Sequence, residues 1–167
     1  GVTSSLRGKL VGKTKSVALS GLGTHAFRVI GADHDTKTAG GKASLSFFAE
    51  DVVKAPLTYQ LINNFYVSSS EIQEFLGTTM PSAAPSDLKS DVKQVTKKVT
   101  QGGPVNQSFW FIAYSEVTSD THYLSSVGDE GEQYDYFSDI TSTNSNVAKT
   151  NRKWKGAGTS WQLRSQG

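Results

Sequence analysis

Hydrophobic periodicity changes twice along this chain, and that change limits its fold more than any other feature. Strand-like alternation occupies both ends, while helix-like spacing is confined to the middle. Val17 and Leu19, then Ala26, Arg28 and Ile30, read as two short strands, or one strand broken near residues 21–23. Residues 43–48 and 57–67 read as further strands. Residues 31–42 carry Gly31, Gly40 and Gly41 among Asp and Thr and read as a loop. The serine cluster 68–70 opens a helix over 71–76 that Gly77 stops. After Pro85, with Ser86 as N-cap, Leu88, Val92, Val95 and Val99 repeat at i, i+4, i+7 and i+11, which predicts a helix over 87–100.

Alternation then returns. Residues 108–117 form the most apolar run, with Phe109, Phe111 and Ala113 interleaved with Trp110, Ile112 and Tyr114. Apolar residues on both faces predict a central strand buried on both sides, so Phe109, Phe111 and Ile112 are expected in the core. Residues 121–125, 133–137 and 159–164 read as strands, and 139–149 as a long polar loop. Helices flanked by strands argue against a doubly wound parallel sheet. The expectation is a mainly β protein, an antiparallel sandwich of jelly-roll type with two short helices inserted mid-chain.

At 167 residues the chain fits one domain. Residues 1–15 read as a basic arm and 16–167 as a single β-rich domain. With no cysteine, disulfides, thiolate nucleophiles and Cys-based zinc sites are excluded. No run of apolar residues is long enough for a membrane helix, so no membrane partner is expected.

Charge is sorted by position beneath a formal net of +2. Residues 1–32 carry Arg7, Lys9, Lys13, Lys15 and Arg28 and no acid. Residues 149–167 carry Lys149, Arg152, Lys153, Lys155 and Arg164 and no acid. Residues 101–148 carry seven acids and no Lys or Arg. Such sorting suits polyanion binding or contact between copies of the chain. Flexible cations in the arm neutralise phosphates without reading sequence, so single-stranded RNA is the expected nucleic-acid partner. Trp154, between Lys153 and Lys155, is placed to stack on a base or to pack inward between exposed lysines. Lys89, Lys93 and Lys97 read as a solvated helical stripe.

Candidate chemistry is sparse. Asp129, Glu130, Glu132 and Asp135, with Asp139, are the best candidate ligands for a hard cation such as Ca²⁺, and a subunit interface is a natural place for it. No other cofactor is implied. Residues 36–43 (TKTAGGKA) fail the phosphate-loop spacing and read as a strand connection. Asp33, His34 and Asp35 alternate in direction if extended, so they are not expected to converge. No hydrolase, zinc-protease or dinucleotide motif occurs, and no enzyme activity is expected.

The arm bearing Arg7, Lys9, Lys13 and Lys15, followed by the strand-rich, Cys-free segment 16–167, resembles in layout the jelly-roll coat proteins of small icosahedral RNA viruses. That resemblance implies a self-assembling shell subunit, located in a virion and packed around nucleic acid. The alternatives are a surface or extracellular β-sandwich module that binds glycan or protein through loops such as 118–132 and 139–157, or a tube or fibre subunit.

Overall fold

A computed structural model describes residues 4–51, 53, 74–98, 104–119 and 130–140. The strands expected at 57–67, 121–125 and 159–164, and all but the first two residues of the loop expected at 139–149, lie outside these residues.

Five strands form two antiparallel sheets among the described residues, with a few short helices between them. The larger sheet is a meander of β1 (Thr14–Leu19), β2 (Gly23–Ala32) and β3 (Leu45–Ala49), in that order. β1 and β2 are a hairpin in which Thr14 faces Arg28 and Leu19 faces Gly23. The turn contains Gly21 at φ 74° and Gly23 at φ 101°, a region that glycine enters without strain. The register between β2 and β3 shifts between Val29 and Gly31, so the end of β2 is re-aimed. The smaller sheet pairs β4 (Val95–Lys97) with β5 (Val105–Gln107).

Alternation on β2 covers both faces of the larger sheet. Phe27 lies on one face with Val17 and Leu19, and packs in a cluster with Phe75, Leu76, Met80 and Ala83. Ile30 lies on the other face with Phe48, against Ile112, Val117, Tyr134, Phe137 and Ile140. The first cover is a π-helical turn, Phe75–Thr79, running straight into an α-helix, α2 (Met80–Ala83). Gly77 therefore does not stop the helix. The wider π turn carries the chain past it, and Pro81 enters at the start of α2, where its missing N–H is not needed.

Three readings of the sequence are corrected. Helix after Pro85 lasts only one turn, α3 (Ser86–Lys89), with Pro85 rather than Ser86 at the cap position, and the chain is extended again by β4. Val95 and Lys97 are buried and Thr96 is exposed, a period of two. Valine and threonine at 95 and 96 favour the pleated surface that β5 offers, and this pairing overrides the helical spacing.

Residues 108–113 are not a strand, and the run ends in one helical turn, α4 (Tyr114–Val117). It is apolar on both sides because it bridges both clusters. Phe109 and Phe111 pack, half-buried, on the first, while Ile112 is buried in the second. The strand expected at 133–137 is instead a 3₁₀ turn, Asp135–Phe137, after a fully buried Tyr134. The Gln133 amide nitrogen reaches the carbonyls of Val117 (2.9 Å), Phe137 (2.6 Å) and Ile140 (2.8 Å), and so holds the turn against α4.

The stretch read as an arm contains regular structure. A short helix, α1 (Ser4–Gly8), leads through a turn into β1 at Thr14, and Gly12 N–H donates to the Val29 carbonyl at 2.8 Å. No described helix is long and apolar enough to cross a membrane.

Candidate functional site

The densest chemistry lies between the two sheets, around a lysine. β4 turns Lys97 inward, leaving it 3% exposed. Its ammonium donates to Asp35 Oδ1 at 2.6 Å, to Glu116 Oε1 at 2.6 Å and to the Tyr134 hydroxyl at 2.7 Å. Asp35 and Glu116 are themselves buried. One cation thus faces two carboxylates in a setting almost without water.

Local structure explains how these groups, distant in sequence, meet. Asp33 ends β2 at φ 52°, a left-handed conformation that aspartate tolerates better than most residues. The kink breaks the alternation of the segment. Asp33 turns out to Arg7, Asp35 turns in to Lys97, and His34 stacks on the Tyr134 ring with centroids 4.0 Å apart. Glu116 is fixed by its own helical turn, where its Oε2 accepts the Ala113 N–H at 2.8 Å. Tyr134 donates to Asp35, its hydroxyl lying 3.0 and 2.9 Å from the two carboxylate oxygens, and the Ser46 hydroxyl of β3 donates to Oδ2. Two glycines admit the cluster. A Cβ on Gly31 would lie 2.8 Å from the Tyr134 ring, and one on Gly131 would lie 3.0 Å from Glu116 Oε1.

Burial alone would raise the Asp35 carboxyl. His34 beside it, the Lys97 ammonium and the Ser46 hydroxyl outweigh that effect and hold it well below the usual carboxylate range. His34 Nδ1 lies 3.6 Å from Asp35 Oδ1, and among the described residues neither ring nitrogen of His34 has a hydrogen-bond partner. Trp110 completes the enclosure, with Lys97 Nζ 4.6 Å from its ring centroid.

A second, partly buried ion pair sits further along β2, beside Tyr136. Arg28 donates to Glu50 and to the Gly12 carbonyl, and lies 5.2 Å from the Tyr136 ring centroid. It ties the turn before β1 to the end of β3.

The expected phosphate-binding residues are only partly together. Arg7 is half-buried and donates through Nε (3.2 Å) and Nη2 (2.9 Å) to Asp33 Oδ2. Lys9, Lys13 and Lys15 are exposed. Lys149, Arg152, Lys153, Trp154 and Lys155 lie outside the described residues, as does Asp129. Of the expected cation ligands, Glu130 is buried, with its N–H donating to Ser115 Oγ at 3.1 Å, whereas Glu132 and Asp135 are exposed. Among the described residues, no group of three His, Asp or Glu side chains is placed to hold a metal ion.

Sequence reasoning does not single out Glu116 or Tyr134 as site residues, and it reads Lys97 as part of a solvated stripe. Lys89 and Lys93 are indeed exposed, but Lys97 is not. Its partners lie at positions 35, 116 and 134, and no spacing rule connects them. The only signal was strand alternation through Val95, Thr96 and Lys97, which puts a lysine on the same side as a buried valine.

No family model, curated protein or solved structure matches this chain.

Proposed function

We propose that the chain is a non-catalytic β module of a surface-displayed or extracellular structural protein, and that it binds glycan or protein. The observation that carries this reading is the fixing of residues 4–15 on the meander. Arg7 is bridged to Asp33, and Gly12 and Lys13 exchange backbone hydrogen bonds with Val29. A segment held in this way is part of a domain surface rather than a free tether for nucleic acid. The closed Lys97 cluster supports the same reading, since its charges are spent on one another inside the fold and not presented to a substrate.

A self-assembling coat subunit with a jelly-roll sandwich is the second reading, and exposed Lys9, Lys13 and Lys15 favour it. Light scattering combined with filter binding of single-stranded RNA at low salt separates the two. The module predicts a monomer or small oligomer that retains no RNA at micromolar concentration. The coat reading predicts a large particle and RNA retention. With three lysines engaged, its log–log salt slope would be about −2, from roughly −0.7 per neutralised phosphate.

A further inference from the structure

A lysine, an aspartate and a glutamate in mutual contact, dry and enclosed by aromatic rings, form a reactive set as well as an ion pair. We propose that Lys97 and Asp35 condense to an intramolecular amide, with Glu116 carrying protons between them.

Four features of the site support this. The first is proximity. Nζ lies 2.6 Å from Asp35 Oδ1. The amine therefore lies close to the carboxyl carbon that it would attack. The second is polarisation of the Asp35 carboxyl by side-chain hydroxyls. Asp35 receives the Tyr134 hydroxyl across both oxygens and the Ser46 hydroxyl on Oδ2. These donors are placed for the charge that develops on oxygen as nitrogen adds to the carbon. The third is a proton carrier. Glu116 Oε1 contacts the same ammonium at 2.6 Å, and its backbone bond to Ala113 keeps it in place. The fourth is exclusion of water. Lys97, Asp35 and Glu116 are no more than 5% exposed, which disfavours the charged pair and hinders hydrolysis of the product.

The step balances without a co-reactant. The Lys97 ammonium gives one proton to Glu116, which passes it to an Asp35 oxygen. The neutral amine adds to the neutral carboxyl carbon, and the C–N bond forms. A second proton leaves nitrogen through Glu116 to the Asp35 hydroxyl, the C–O bond breaks, and water departs. Glu116 returns to a carboxylate. The ammonium and carboxylate become one uncharged amide, which removes two buried charges. Because Asp35 is held ionised at rest, a proton has to reach it before nitrogen adds, and the event occurs once per molecule. The bond would join residues 62 apart, from the end of the meander to β4, in a chain with no cysteine to staple it.

Intact-mass spectrometry of the denatured, folded-and-incubated protein tests this. The expected mass is one water, about 18 Da, below the sequence mass, with a proteolytic peptide pair linked through Lys97 and Asp35. Lys97→Ala and Asp35→Ala should show their full sequence masses. Glu116→Gln should remain at full mass, or lose water far more slowly. Full sequence mass in the folded wild-type protein overturns the proposal, as does a water loss mapped to any other residue pair. Glu116→Gln losing water as fast as wild type removes Glu116 as the carrier and overturns the mechanism. If the variants fail to fold, the wild-type mass and linked peptide decide alone.

Discussion

Two titratable groups in this protein, Asp35 and His25, are tuned by their neighbours in opposite directions and give opposite pH signatures. Asp35 has its carboxyl held below the usual range, so its contribution to stability is present above that range. It is lost as pH falls through the lower folded value. His25 behaves the other way. Its Nε2 lies 2.9 Å from the Leu22 carbonyl and its Nδ1 2.9 Å from Asp51 Oδ1. The carbonyl contact, opposed by burial and aided by Asp51, raises the imidazole above its ordinary value. The stability that His25 contributes to the β1–β2 hairpin is therefore full below the ordinary histidine value. It fades as pH rises through the raised one. Thermal unfolding followed from acid to mildly alkaline pH should show this decline, and His25→Phe should flatten it. A decline that survives His25→Phe would assign it to another group. Gly31 is the second residue-scale test. Its missing side chain makes room for Tyr134, so Gly31→Ala should cost about 1–3 kcal/mol in urea denaturation, the usual range for overpacking.

Among the elements, the helical segment from Phe75 to Ala83 is the lid of one face of the meander. Met80, 4% exposed, sits at its centre. Met80→Ala should therefore cost about 2–5 kcal/mol in urea denaturation. Phe111, only half-buried at the margin of the same cluster, should lose less on truncation than a fully enclosed phenylalanine. The strands of the meander were legible in sequence because their faces differ. Val17 and Leu19 alternate with small or polar neighbours, and glycines mark the turn. Segments that touch both clusters were not legible. Residues 108–113 look like a doubly buried strand because they bridge two cores, and periodicity cannot tell these apart. β4 was hidden for a related reason. Its valines fit a helical spacing as well as a strand, and only the partner β5, ten residues on, decides between them. The loop reading of 36–43 agrees with a tight connection in which Thr36 bridges Lys42 and Gly40 and Gly41 take positive φ.

For the whole molecule, the Lys97 cluster is the joint. Asp35 leaves the meander, Lys97 stands on the smaller sheet, Glu116 comes from α4, and Tyr134 precedes the 3₁₀ turn. Little of this site was legible in the sequence, because its members meet only when both sheets and two covering segments are in place. The charge sorting that was legible is redirected by the fold. Arg7 and Arg28 in the basic N-terminal stretch are bound to Asp33 and Glu50, and Lys9, Lys13 and Lys15 are left as its exposed cations. Removing Lys97 would leave two carboxylates facing each other in a dry interior. Equilibrium urea unfolding of Lys97→Ala against wild type is the most direct measurement of the claim that this cluster holds the two sheets together. A loss of about 3–5 kcal/mol, the usual penalty for stranding a buried charge, is the predicted result. A loss below about 1 kcal/mol, the scale of an exposed ion pair, would contradict it.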